Sequence, residues 1–344
     1  MPPSKNPVIK SQPNSVTPEK TRHHAEILSN RVLKRYQHMR KRFARQNIEC
    51  FRLYDWDIPE VRAVVDWYAG HLVVGEYVRW QTGPQWLPQM AAAVAAVLGV
   101  PSENVHLKRR RTGGEDGQPR YKKTGREKAC IQVRERDLRF LVDLDGFLDT
   151  GLFPDHRDTR MMIRECAAGK DFLNLYGYTG TFSCAAALGG AKSTVTVDRS
   201  ATYLKWARDN FELNGLWGSQ HSLVQSDVGA YLDKVIRSGR RFTLAFVDPP
   251  SFFRDRRRGQ AFDINREHPA LLEKVVRVLA PGALLFFSTN HQRFTPRLDD
   301  LPVKDLKELT PQTIPEDYRN RCVHRCWRMT MRSKPVLWNN GTGS

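Results

Sequence analysis

No stretch of this 344-residue chain approaches the roughly 18 consecutive apolar residues that a bilayer span requires. The start, MPPSKNPVIKSQPNSVTPEK, lacks the apolar core of a signal peptide, so a cytoplasmic location is expected. Cysteine is scarce: six residues scattered through apolar contexts fit reduced thiols and not a disulfide framework. In RCVHRC, Cys322, His324 and Cys326 would share one face of a strand, as metal ligands could. A second Cys or His pair is missing, so a plain terminal strand and no metal are expected. Acidic residues are also in short supply. With 37 Asp and Glu against 55 Lys and Arg, the net charge is +18 and the pI near 9.9, which points to a polyanionic partner, nucleic acid first.

Composition divides the chain. Residues 1–20 carry five prolines and little apolar content and read as a disordered tail. Residues 21–48 read as a basic amphipathic helix, with Ile27, Val32, Leu33, Tyr36, Met39, Arg40 and Phe43 near helical spacing and RNA contact expected of its cations. Residues 49–150 alternate short β-type runs with one helix, PQWLPQMAAAVAAVLG, and form a small α+β domain. Its glycine-rich basic loop, RRRTGGEDGQPRYKKTGREK, buries nothing obvious. Lys108, Arg109, Arg110, Arg111, Lys122 and Lys123 are accordingly assigned to phosphate contacts, beside Tyr121.

Residues 151–335 alternate helix and strand, and the strands are nearly all apolar, which indicates an α/β doubly wound parallel sheet. Ligands of such sheets bind at the carboxyl ends of the strands. The first strand ends in NLYGYTGTF, where Gly177 and Gly180 suit a tight turn. The second ends at Asp198, placed to accept from ribose hydroxyls, and the third at Asp227, placed to accept from an adenine amine. The fourth, LAFVDPPSFF, ends in a carboxylate, two prolines and two aromatics. A dinucleotide site needs a third glycine that is missing here, and tyrosines 176 and 178 stand where a pyrophosphate needs bare backbone.

This set resembles the class I S-adenosylmethionine-dependent methyltransferases, with a Rossmann-like sheet. DTGLFPDHRDTR, KDFLNLYGYTGTFSCAAALGGAKSTVTVDRS, YLKWARDNFELNGL, DPPSFF and FFSTNHQRF narrow it to the ribosomal RNA large-subunit methyltransferase K family, which methylates N7 of a guanine in 23S rRNA. The likeness covers nearly the whole chain after the tail. In many bacteria this unit is fused to an L half carrying a THUMP domain and a guanine-N2 activity. Lacking that half, the chain is expected to take RNA-opening help, if any, from a separate L-type protein in trans.

The resemblance implies S-adenosylmethionine as cofactor, bound by Asp155, His156, Arg157, Asn174, Tyr176, Thr179, Gly180, Asp198, Arg199 and Asp227. Arg157 would meet the methionine carboxylate. Asp248, Pro249 and Pro250 would set the target nitrogen in line with the methyl, and Phe252 would stack on a flipped base. Asn290 and Arg293 are candidates to read the O6 and N7 edge of guanine. The related cytosine-C5 enzymes need a thiolate, carried in a Ser-Cys-Ser stretch where this chain has Ser288, Thr289 and Asn290. Exocyclic-amine methylation and a catalytically silent, RNA-binding assembly factor also stay open as readings of the sequence.

Overall fold

The computed structural model describes residues 16–78, 82–111, 130–255 and 260–333. Contacts divide the chain into two units, Met1–Phe43 with Phe51–Asp116, and Ala44–Cys50 with Gly117–Ser344. The division falls at 116/117 and not at 150. No described helix is long and apolar enough to cross a membrane.

In the first unit, helix α1 (Pro18–Arg45) begins inside the expected tail, with the Thr17 hydroxyl accepting from the Lys20 amide. Leu28, Val32, Met39 and Phe43 form its buried stripe, while Arg40 is exposed and drops out of the face read from sequence. Tyr36 packs on Trp67 and Phe43 on Phe51 at ring-centroid distances of 4.8 and 4.9 Å. Strands β1 (Cys50–Asp55), β2 (Ala63–Tyr68), β3 (His71–Val78) and β4 (Val105–Arg111) form one sheet in that order, and α2 (Trp86–Leu98) lies between β3 and β4 in sequence. Because β4 is a strand, its neighbours Lys108 and Arg109 fall on opposite faces, the first buried and the second exposed.

In the second unit, β5 (Cys130–Glu135) and β6 (Leu138–Asp143) make a hairpin that sequence placed with the small domain. The elements α3 (Arg157–Cys166), β7 (Asp171–Leu175), α4 (Thr181–Leu188), β8 (Ser193–Asp198) and α5 (Ala201–Leu213) follow. The hairpin belongs here because α5 holds it. Asn210 and Asn214 side-chain oxygens accept from the Leu141 and Arg139 amides at 2.9 and 2.8 Å, and the Trp206 indole donates to the Leu141 carbonyl at 3.0 Å.

The chain continues through β9 (His221–Gln225), α6 (Val228–Ser238), β10 (Phe242–Val247), the small hairpin of β11 (Phe252–Asp255) and β12 (Gln260–Asp263), and α7 (Ile264–Arg277). It ends with β13 (Leu279–Thr289), β14 (Val303–Glu308), the short α8 (Thr310–Thr313) and β15 (Arg325–Met331). Seven strands form one sheet in the order β14-β15-β13-β10-β7-β8-β9, parallel from β13 to β9, with β15 antiparallel to both its neighbours.

Alternation along the strands builds two cores. Leu173, Leu175, Val195, Val197, Ala245, Val247 and Phe287 join the cluster that includes residues of α6 and α7. Phe172, Leu244, Phe246 and Phe286 face the other way, with Ile163 of α3 and Phe182 and Ala186 of α4.

Two local readings change. Helix α7 starts five residues before the expected start at Pro269, capped by the Asp263 carboxylate on the Asn265 amide at 2.9 Å. Pro269 has no N–H to give the Asn265 carbonyl, and the Arg297 guanidinium donates there instead at 2.9 Å. The terminal strand starts only at Arg325, so Cys322 and His324 precede it and share no strand face with Cys326.

Candidate active site

Ladder pairing sets the strand ends level. Leu175 lies beside both Val197 and Val247, and Val247 beside Phe287. The next residues, Tyr176, Asp198, Asp248 and Ser288, therefore fall along one carboxyl-end rim, with Asp227 just past β9. Strand order reverses between β7 and β10, the place where doubly wound sheets bind ligands.

The turn after β7 is bent by left-handed residues at Tyr176 (φ 56°), Tyr178 (φ 49°) and Gly180 (φ 71°). Its glycines answer to protein neighbours: a Cβ on Gly177 would collide with the Thr196 methyl, and one on Gly180 would lie 2.7 Å from Ala207 Cβ. Two residues expected to touch the cofactor are corrected here. Asn174 is buried and its amide donates to Ser183 Oγ at 3.0 Å, so it fastens β7 to α4. Thr179 is buried too, donating to the Gly151 carbonyl at 2.5 Å and accepting from Asn210 at 2.9 Å through its own carbonyl. Tyr176 is half-buried; burial first, and the Asp227 charge second, push its phenol up.

Asp198 is held by backbone alone: the Tyr178 amide donates to Oδ2 at 3.0 Å and the Ser200 amide to Oδ1 at 2.8 Å. Each carboxylate oxygen keeps lone-pair capacity beyond its one amide. Burial raises its pKa, and the amides of Ser200, Tyr178 and Arg199 oppose that rise. Asp227 caps α6, Oδ1 accepting from the Ala230 amide at 3.1 Å, which leaves Oδ2 for a ligand donor. Arg199 places its guanidinium 5.2 Å from the Phe253 ring centroid. Fixed acceptors at the ends of β8 and β9 suit a nucleoside's hydroxyl and amine donors, so this part of the rim fits S-adenosylmethionine.

Arg157 requires a larger correction. It is 2% exposed, with Nη2 donating to Asp317 at 2.5 Å and Nη1 to the Cys50 carbonyl at 3.1 Å. It is not presented to a methionine carboxylate; it ties the first turn of α3 to residues far along the chain. Arg160 beside it forms a buried fork with Glu135 at 2.7 and 2.6 Å.

Asp155 and His156 gather a partner that local spacing did not reveal. His324 Nδ1 lies 3.1 Å from Asp155 Oδ2 and its Nε2 lies 3.0 Å from Thr313 Oγ1. The His156 and His324 rings stack at 4.1 Å and 14°, and His156 Nε2 lies 3.6 Å from Asp248 Oδ2. Ligand atoms of Asp155, His156 and His324 fall within 4.8 Å of one another. Stacked parallel rings cannot aim in-plane lone pairs at one ion, and both His324 nitrogens are already bonded, so the trio is a hydrogen-bonded brace. Burial first, then the His324 charge, lowers the His156 pKa.

Asp248 directly follows β10, its side chain 27% exposed. Desolvation, then the Asp155 carboxylate, push its pKa from 3.8 to about 6, against the pull of His324. A carboxyl raised in the fold binds its proton more tightly there than in the unfolded chain. Its contribution to stability is therefore full below pH 3.8 and is lost as pH rises through about 6. Asp248→Asn is expected to raise stability at pH 8 by about 1–2 kcal/mol, discounted for exposure, and to leave it unchanged near pH 3.5. Urea unfolding at the two pH values checks this, and an equal effect at both would contradict it.

Past Pro249 and Pro250, Ser251 Oγ donates to Asn290 Oδ1 at 2.5 Å, joining the loop to the end of β13, and Phe252 stands 61% exposed. Arg293 is exposed nearby in sequence. Of the expected phosphate contacts, Lys108 is buried, which removes it from a free basic patch. Arg109 is paired with Glu76 at 3.1 Å and bonded to the Pro84 carbonyl. The Arg110 and Arg111 side chains, and Lys122 and Lys123 entirely, lie outside the described residues.

A family model for S-adenosylmethionine-dependent methyltransferases matches residues 57–304. Ribosomal RNA large subunit methyltransferase K of Neisseria meningitidis serogroup B is 42% identical over 312 residues, 89% of this chain and 87% of that protein. Among solved structures, a chain described as a methyltransferase and complexed with SAH superposes with TM-score 0.70 at 22% identity, covering 90% of this chain and 82% of its own. A chain from Streptococcus mutans described as a SAM-dependent methyltransferase gives 0.68 at 22%, covering 94% and 83%. These two establish the fold, and the sequence match goes further: the chain belongs to the S-adenosylmethionine-dependent methyltransferases, within the family of ribosomal RNA large subunit methyltransferase K.

Proposed function

We propose that this enzyme methylates N7 of a guanine in 23S rRNA by in-line transfer, with no covalent intermediate. The observation that carries the assignment is the bond from Ser251 to Asn290. With one Oδ1 lone pair taken by Ser251, the Nδ2–H donors of Asn290 remain to be used, and the N7/O6 edge of guanine carries only acceptors. A donor on O6 would leave the N7 lone pair free for the methyl. Cytosine presents an N4 donor at the corresponding edge, for which this arrangement is the wrong sign.

The cofactor supplies a methyl on a positively charged sulfur, and the remaining work is positional. N7 bears no proton in the neutral base, so no general base is required. The loop of Asp248, Pro249 and Pro250 holds the target nitrogen in line, and exposed Phe252 stacks on the flipped base. Asp198, Asp227, Tyr176, Gly180 and Arg199 hold the nucleoside end, with Asp155 and His156 behind Asp248. Arg293, exposed just past Asn290, joins it at the O6 and N7 edge of the guanine.

One observation favours a second reading. Cys322 is exposed, and its carbonyl accepts from Gln292, two residues past Asn290, at 2.9 Å. Cytosine-C5 methylation needs a thiolate, and Cys184 and Cys326 are buried with their pKa values raised by desolvation. The methylated nucleoside decides between the two. 7-Methylguanosine is expected, in equal yield from Cys322→Ala; 5-methylcytidine, lost in Cys322→Ala, would establish the second reading.

A further inference from the structure

Within the first unit, the turn after β1 carries an aromatic that the core does not use. Trp56 is 41% exposed although tryptophan is among the most valuable side chains to bury. Its backbone sits at φ 53°, a left-handed conformation that a bulky residue adopts only at a cost. Two bonds fix the residue in this position: the Trp56 amide donates to the Ala63 carbonyl at 3.1 Å, and the indole Nε1 donates to the Pro59 carbonyl at 3.4 Å.

The Arg62 guanidinium lies over the indole, 4.5 Å from a ring centroid. Arg62 makes no ion pair among the described residues, and its buried Nε has no hydrogen-bond partner, so the ring itself holds the cation. Tyr77, half-buried on β3, is 6.1 Å from Trp56 with the rings 31° apart. Register places Arg110 directly beside Tyr77 on β4. A pinned, exposed indole with an uncompensated cation on one side and a second ring nearby combines a π-face with positive charge, in a chain of net charge +18.

We propose that Trp56, with Arg62 over it and Tyr77 beside it, is a docking platform on which an unpaired base of single-stranded RNA stacks. Every base has a π-face, so the contact is tolerant of sequence, and Arg62 adds attraction for the neighbouring phosphate. The inference rests on RNA as the substrate class but not on which atom is methylated. The platform contributes to RNA affinity and takes no part in the methyl transfer itself.

The test is binding of a 12-nucleotide single-stranded RNA and of a duplex of equal length, followed by fluorescence anisotropy of labelled RNA. Trp56→Ala is expected to weaken the single strand about tenfold and the duplex less than twofold, with Trp56→Phe retaining most of the affinity. The slope of affinity against salt should stay unchanged in Trp56→Ala, because no phosphate contact is removed. Equal single-strand affinity in wild type and Trp56→Ala, or an equal loss on both RNAs, would overturn the platform. So would unchanged RNA binding with loss of retention by an L-type protein, which would make Trp56 a protein contact. Methyl transfer plays no part in this readout, so failure to form 7-methylguanosine would count against the proposed reaction and leave the platform standing.

Discussion

Asp198→Ala lowers affinity for S-adenosylmethionine by about 1.5–3 kcal/mol, roughly ten- to 150-fold, because hydrogen bonds from two ribose hydroxyls to a charged acceptor are lost. The carboxylate is prepared for them: two backbone amides, at 3.0 and 2.8 Å, fix its orientation before any ligand arrives. Burial raises its pKa, and those amides keep the ionised form favourable. Removing the side chain also frees the Tyr178 amide, so Asp198→Asn serves as the conservative comparison and should lose less. Isothermal titration on variants with unchanged circular dichroism checks the expectation. A wild-type dissociation constant in Asp198→Ala would remove this residue from the site.

The second large effect concerns stability. Asp317→Ala strips Arg157 of its buried carboxylate partner, and breaking a buried ion pair from one side costs about 3–5 kcal/mol. At about 2–4 °C per kcal/mol for a unit of this size, melting should fall by on the order of 10 °C. Affinity for S-adenosylmethionine, measured well below melting, should change less than twofold. That pattern separates a tie across the fold from a cofactor ligand. A large loss of affinity with melting unchanged would return Arg157 and its partner to the binding site.

How much of this was legible in sequence depends on the range of the interaction. The rim was readable because each strand announces its own end: TVTVD, QSD and FVDPP are local patterns, and register then aligns them. The Arg157 tie was not, because Asp317 lies 160 residues away and carries no motif. His324 was visible as part of RCVHRC, but its partner Asp155 is 169 residues distant, so spacing gave a plain terminal strand where the fold makes a brace. Asn174 and Thr179 illustrate a different limit. They stand in the glycine turn as cofactor ligands would, and only three-dimensional packing shows that Ser183 and Gly151 have already claimed them. The hairpin of β5 and β6 was placed in the wrong neighbourhood because its hydrogen bonds go to α5, later in the chain.

The identity of the methylated atom tests the central claim most directly. N7-methylguanosine carries a positive ring, so mild reduction followed by aniline cleaves RNA at that nucleotide, whereas 5-methylcytidine and N2-methylguanosine leave the chain intact. Protein-free 23S rRNA incubated with this enzyme and S-adenosylmethionine, with an L-type protein added in a parallel reaction, should gain one new cleavage site at a guanine. Methyl label incorporated with no new cleavage in either reaction would contradict N7 as the acceptor.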